Sequence, residues 1–488
     1  MSFQNSKSTN RRQAIQLISG VFAPCLLPIH SANAAGDLIN RLAAYMVNSR
    51  TRELPERALI DAKHRILDTV AAMVSGSALK SGIAATRFIR TQGGTQQASI
   101  LVDGYKTTAV NAAMANAMLA HSDESDDFEP VTKAHPGSAV VPAALAMAEM
   151  EDRSGTEFIR AVALGYDLGC RFLLALGPDH VRQTHRGAEA YGANFGSMAA
   201  AASLARFDEQ KMRYALSYSS QQVSGLWSWV DDHDHIEKSF DFSGMGVRNG
   251  ITAVVMVQAG LTGVDDVLQG RHNVLQALST QSRPEELVKD LGERYFISES
   301  GIKTFTVGYP NQSPLDALIT LTRENNIQAN QVESVEARLP EDSIGIVSNS
   351  PMPDVNCQYL LATALIEGKV SFAASHSQER MRDPKIRDVM QRIKVIGDAR
   401  LNDPEAPRGG IVEINLKDGR TYSKHTRFPP GTKENPLSVE RLNAKARDLM
   451  TPVLGEKRTE ILIEKIHQLE KIRDIKGFIR SNLVTQKK

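Results

Sequence analysis

Cysteine is nearly absent from this chain: three residues stand among 488. Cys25 falls in the N-terminal stretch, and Cys170 and Cys357 are too few and too far apart for a disulfide framework or a thiolate metal cage. Two buried free thiols are the expectation. An excess of charge of either sign is also missing. Lys and Arg number 57 and Asp and Glu 56, a formal charge of +1. No global field therefore attracts nucleic acid or an anionic membrane, and an anionic ligand must be held by local cations. After the N-terminal stretch no apolar run approaches the ~18 residues that a membrane helix needs. There is no Gly-x-Ser-x-Gly, His-Glu-x-x-His, phosphate loop or Cys-x-x-Cys. Gly244-Met245-Gly246 with Gly250 misplaces the third glycine of a dinucleotide loop and follows no hydrophobic strand, which excludes NAD binding.

What is present is globular: 42% hydrophobic and 23% charged residues. A chain of this length exceeds one ordinary core, so two domains are expected. The first residues read as an address. Arg11-Arg12 precedes an apolar stretch from Ala14 to Leu27, interrupted by Pro24 and Pro28, and Ala32-Asn33-Ala34 offers small residues for cleavage. Residues 1–34 are expected to be a Tat-type signal peptide that delivers a periplasmic protein without a membrane anchor. Pro24 before Cys25 speaks against a lipoprotein site.

From about Leu54 to Leu278 the apolar spacing is helical. Leu59, Ile66, Val70 and Met73 share one face of a segment from Pro55 to Val74, with Gly76 as its stop. Ser138 to Met150 is a second helix, Ser154-Gly155-Thr156-Glu157 has capping-box spacing before an apolar run to Leu176, and Ser197 to Leu204 and Lys211 to Val223 follow. The first half reads as all-α. After Gly301 the texture changes. Val332 to Leu339 and Arg392 to Ile396 read as strands, and Ile411 to Leu416 joins Thr421 to His425 through Asp418-Gly419 as a hairpin. Helices at Ser313 to Arg323 and Val355 to Glu367 lie among them, and Pro429-Pro430-Gly431 precedes a return to helix at Val439 to Met450 and Arg458 to Ile479. The expected fold is mainly α: a large all-helical domain from residues 35–300 and 431–488, and a smaller α+β lid domain over 301–430.

The densest chemistry is His121-Ser122-Asp123-Glu124-Ser125-Asp126-Asp127-Phe128, followed by His135-Pro136-Gly137-Ser138 at a helix start. Asp123, Glu124, Asp126 and Asp127, packed between His121 and His135, perturb one another's pKa values, which suits acid/base work or metal binding, while a solvated acidic loop is the plainer account. His135 stands just before a helix N-terminus, where backbone N–H groups attract a carboxylate. A second run, Asp231-Asp232-His233-Asp234-His235, could converge on a divalent metal, but a solvated loop near a pocket mouth is the better reading.

His-x-x-x-x-Asp-Asp, then His-Pro-Gly-Ser-Ala-Val-Val-Pro-Ala-Ala-Leu-Ala, resembles the signature region of the MmgE/PrpD family, the 2-methylcitrate dehydratase and cis-aconitate decarboxylase-like proteins. Thr184-His185-Arg186-Gly187 with Tyr191-Gly192-Ala193-Asn194-Phe195-Gly196 is similar to that family's histidine loop. Glu237-Lys238 before Gly246-Val247-Arg248-Asn249-Gly250-Ile251, Lys303 before Tyr309-Pro310, and Gln358-Tyr359 also match, in family order from about Ala35 onward. Phe128 stands where the family commonly has Thr, and Glu124 where it has Asp. The 127–135 loop is one residue longer, so substrate choice is expected to differ.

The resemblance implies a lyase needing neither cofactor nor metal, a homodimer, and a pocket between the domains. His135 and His185 become the base and acid candidates, since a side chain with pKa near ~6.5 serves either role at neutral pH. Asp126 and Asp127 would orient the histidines or a leaving hydroxyl. Lys238 and Lys303, with Tyr359 and Glu124, would bind a small anionic polycarboxylic or hydroxy acid. Dehydration by proton abstraction α to a carboxylate leads. Epimerisation or isomerisation, decarboxylation, and a non-catalytic periplasmic carboxylate-binding protein are the alternatives.

Overall fold

The computed structural model describes residues 32–484. The leader reading falls mostly on residues 1–31, outside the described residues, and Ala32 to Ala34 already open the first helix, α1 (Ala32–Asn48). The fold is mainly α with a smaller α+β portion.

The helical part is organised around α2 (Glu56–Gly76), α3 (Lys80–Gln92), α4 (Ala109–Ala120), α5 (Pro136–Met150), α6 (Gly155–Leu176), α7 (Pro178–Gln183) and α8 (Ala188–Leu204). Every residue of α8 is buried. Its small side chains are what allow this: a Cβ at Gly196 would lie 2.8 Å from the Gly165 carbonyl oxygen, and one at Gly169 2.7 Å from that of Gly192. The α6 and α8 backbones thus meet nearly directly, with Phe172 stacked on Phe195 beside the crossing, centroids 3.7 Å apart. Gly76 has a packing role rather than a stopping one, because a Cβ there would strike the Leu119 carbonyl in α4 and the helix is capped by Ser77. Ser154 and Glu157 form the expected capping box at the start of α6. Further helices α9 (Glu209–Ser220), α10 (Ile236–Ser239) and α11 (Met245–Gln258) complete this layer.

The first half is not wholly helical. Ala98–Ser99 and Lys106–Thr107 form a short antiparallel pair, β1 and β2, where Glu149 of α5 accepts from the Ser99 backbone and hydroxyl and fixes an otherwise solitary turn.

In the second unit β3 (Val332–Leu339), β4 (Ile393–Gly397), β5 (Gly410–Leu416) and β6 (Thr421–Thr426) make one sheet in the order β4-β3-β5-β6. β3 and β4 are parallel and the other pairs antiparallel, and Asp418-Gly419 turns the β5–β6 hairpin with Gly419 at φ 86°. Its helices α12 (Gln312–Glu324) and α13 (Cys357–Glu367) cover the sheet. A separate hydrophobic cluster runs here from Val307 to Leu416. The chain then returns: α14 (Val439–Leu454), α15 (Glu456–His467) and α16 (Ile475–Asn482) place Leu442, Leu462 and Phe478 in the same cluster as the first helices. The single segment expected from Arg458 to Ile479 is thus two helices, broken by a turn at Leu469–Lys471. No helix among the described residues is long and apolar enough to cross a membrane.

Candidate active site

Helix α4 ends at His121, and the loop from there to Phe128 passes through the protein interior before α5 begins at Pro136. All four of its acids are buried. Such burial requires partners, and each carboxylate has them.

Asp126 lies between two imidazoles, 2.9 Å from His121 Nδ1 and 3.0 Å from His135 Nδ1, with Lys303 Nζ 3.3 Å away. Burial alone would raise its pKa, but the two histidines and Lys303 outweigh it and hold the carboxyl well below the usual range. Glu124 accepts from Lys238 Nζ and from Lys303 Nζ at 3.1 Å, and His235 Nε2 lies 3.2 Å from it. The two ammonium groups likewise overcome burial and keep it ionised. His121 is fully buried and pushed down to about 4 by that burial, so it is a neutral hydrogen-bond partner at neutral pH.

Asp127 does something else. It accepts from the Gly137 N–H at 2.8 Å and the Tyr166 hydroxyl at 2.5 Å, and burial pushes it up to about 7. The N-terminus of α5 is therefore taken by the chain's own carboxylate, not left open for a ligand.

One wall is built by a π-helical turn, Phe240–Gly244, between α10 and α11. Such turns insert one residue and re-aim their side chains. Phe242 stacks on His121 at 4.6 Å, and with Trp229 it flanks Lys238, whose Nζ lies 5.0 Å over the Trp229 ring and 5.1 Å over Phe242. His235, with a left-handed backbone at φ 60°, is the one member of the Asp231–His235 run that joins the site. Asp234 pairs with Lys80 at the surface, and Asp232 accepts from the Lys238 backbone.

Above this floor lies a cavity of about 700 Å³. Glu124, His135, Lys238, Trp229 and Phe242 line it from the helical part, and Tyr309, Val355 and Arg408 from the α+β part. Two sets could gather ligand atoms within 4.8 Å for a cation: His121, Glu124 and His235, or His121, Asp126 and His135. Lys238 and Lys303 hold the same carboxylates, so a metal would have to displace ammonium groups.

The site expectations from sequence divide accordingly. Glu124, Asp126, His135, Lys238 and Lys303 come together, and Asp127 sits immediately behind them. His185 does not join them: it is exposed in the loop after α7, at φ 62°, with its carbonyl accepting from Trp227 N–H, and Arg182, Gln183 and Glu189 from that region line the cavity instead. Tyr359 is also elsewhere. It is buried in the second hydrophobic cluster and donates to the Ala374 carbonyl at 2.6 Å. Phe128 is buried at the junction of the two units, paired through its backbone with Gly301 and stacked on Tyr309 at 3.5 Å, and does not line the cavity. Sequence reasoning gave no role to Phe242, Trp229 or His376. Phe242 meets His121, and His376 meets Asp123, across more than a hundred residues of chain, which no local pattern records, while Trp229 enters the site only through Lys238 and Phe242.

Comparison with known proteins finds a family match in both parts of the chain. The MmgE/PrpD N-terminal domain matches residues 40–287 and the MmgE/PrpD C-terminal domain residues 305–470. A cis-aconitate decarboxylase-like protein of Aspergillus oryzae is 21% identical over 92% of this chain and 98% of its own length. The cis-aconitate decarboxylase of Mus musculus is 24% identical over 74% of this chain and 76% of its own length, and that of Homo sapiens 22% over 86% and 89%.

Proposed function

Because the chain belongs to the MmgE/PrpD family, we propose that it is a lyase that works without a cofactor, abstracting a proton α to a carboxylate of a small polycarboxylic or hydroxy acid and eliminating hydroxide. The observation that carries this reading is His135 at the cavity floor, its Nδ1 fixed by an ionised Asp126. With Nδ1 committed, Nε2 is the ring nitrogen left to take a proton, and the carboxylate steadies the imidazolium that results. Lys238 on the cavity wall would supply the cation for a substrate carboxylate and the developing enolate charge, with Lys303 adding its charge from beneath through the shared Glu124. In this scheme Glu124 holds both ammonium groups in place until a substrate carboxylate competes for them. His185 keeps the role of acid only if the loop after α7 moves inward.

The relatives' names favour a second outcome, loss of carbon dioxide in place of water. The same cations would stabilise the carbanion that decarboxylation leaves.

The test is proton NMR in D₂O, with chelator, on citrate, methylcitrate, aconitate, tartrate and aspartate-derived acids offered singly. Deuterium entering α to a carboxylate is expected, reduced ~10²- to 10⁴-fold in His135→Ala and Asp126→Asn. An unsaturated product marks dehydration, and released carbon dioxide marks decarboxylation. Unchanged spectra for every acid, with the chain folded, defeat the proposal.

A further inference from the structure

The cavity above His135 is richer in carboxylates than in cations. Glu124, Asp179, Glu189, Glu341, Asp342 and Asp403 line it, against Lys133, Arg182, Lys238 and Arg408. Each of these cations already faces an acid of the chain. Lys238 pairs with Glu124, Lys133 with Asp342 and Asp179, Arg182 with Glu189 at 2.9 Å, and Arg408 with Asp342 at 2.6 Å. Lys303, deeper, is shared by Glu124 and Asp126. A trianion entering here would meet a negative lining and have to break several buried pairs, whose remaining members would be left uncompensated. A ligand with charges of both signs could exchange pair for pair.

A second observation locates where a cationic group would sit. Glu189 is 5% exposed and spends Oε1 on Arg182, at 3.2 Å from Nε and 2.9 Å from Nη2, while its Oε2 has no hydrogen-bond partner. Asp241, 6% exposed, has an Oδ2 in the same condition, and burial together with the charge of Glu189 raises it to about 8. Buried carboxylate oxygens without partners are exceptional in folded proteins. Glu189 lines the cavity and Asp241 does not, so it is the Glu189 Oε2 that marks a place for a donor supplied by the ligand.

We propose that the substrate is a dicarboxylate that carries an amino group besides the hydroxyl that leaves, with a carboxylate at Lys238 and its ammonium at Glu189. The inference rests on the proposed function for the site and narrows its substrate. It ranks tricarboxylates below such a ligand, because every carboxylate must displace an existing ion pair and a third one adds a further displacement while supplying no donor to Glu189.

Three probes separate the possibilities on the full chain. L-aspartate and L-malate share a carbon skeleton and two carboxylates and differ in ammonium against hydroxyl, and aconitate adds a third carboxylate. Titration calorimetry is expected to give aspartate a Kd roughly tenfold or more below that of malate, the scale of one charge-assisted hydrogen bond, with aconitate weakest. Glu189→Gln should collapse the aspartate preference to within roughly threefold. If circular dichroism shows that variant unfolded, the order of the three acids on the unmodified chain decides alone. Malate or aconitate binding as tightly as aspartate overturns the proposal, as does binding of none of the three. Deuterium exchange in the same samples reports separately on the proposed function. Exchange confined to tricarboxylates leaves that function standing and removes the amino-acid substrate, whereas aspartate binding without exchange in any acid does the reverse.

Discussion

His376 Nε2 lies 3.0 Å from Asp123 Oδ2, an ion pair that ties the helical turn Phe372–Ser375 of the α+β unit to the loop carrying Glu124 and Asp126. Burial would lower the imidazole pKa, yet Asp123 and Asp354 outweigh it and raise it to about 9. Both side chains are largely shielded from solvent, which is why the charges matter to each other.

The pair should make stability depend on pH in a definite direction. The folded pKa is above the unfolded value of 6.5, so the contribution is fully present below about pH 6.5 and is lost as pH rises through about 9. On the order of 3 kcal/mol is involved. Urea unfolding of the unmodified chain and of His376→Ala should therefore differ most at pH 6, and the gap should narrow toward pH 9.5. A gap that does not change with pH would mean that the ion pair contributes nothing.

Much of the architecture could be read from local pattern. The capping box at Ser154 and the Asp418-Gly419 hairpin are decided by residues within four positions of one another, and each formed as expected. The α-to-β change near residue 301 likewise follows from a switch in apolar period. The site was legible only in its contiguous part, residues 121–135. Lys303 was placed by resemblance, and its two carboxylates lie 177 and 179 residues away. Tyr359 shows the opposite failure: a tyrosine at a helix start suits a pocket and a core equally well, and the Ala374 carbonyl that satisfies its hydroxyl is invisible to periodicity. His185 likewise carried a plausible motif into an exposed loop.

Phe128 stands where the resemblance leads one to expect Thr, and its position determines what that difference does. It packs on Tyr309 and Gly301, with no face on the cavity. Phe128→Thr should therefore cost ~3 kcal/mol of stability, the scale of removing a buried aromatic ring. It should leave kcat/KM within roughly threefold, since no transition-state contact is lost. Thermal melting and steady-state kinetics on the substrate identified by NMR check both parts. A folded variant with kcat/KM reduced ~100-fold would show that the ring shapes the site after all.

Lys445 supports the same loop from behind. It comes from the returning helix α14, pairs with buried Asp68 at 2.6 Å, and donates to the Ser125 carbonyl at 2.7 Å, between Glu124 and Asp126 in sequence. Burial raises the Asp68 pKa with Lys445 opposing it, so Lys445→Met should be met by protonation of Asp68 and cost ~2–3 kcal/mol, less than an exposed charge in a dry interior would. The variant should also lower kcat, because the carboxylates that orient His135 and hold the lysines are carried by a loop that has lost its anchor. Adding Asp68→Asn separates the two effects. The double variant should recover part of the melting temperature, since no uncompensated acid remains, but not kcat, since the Ser125 carbonyl still lacks its donor. Recovery of kcat together with stability would mean that Lys445 acts only by neutralising Asp68.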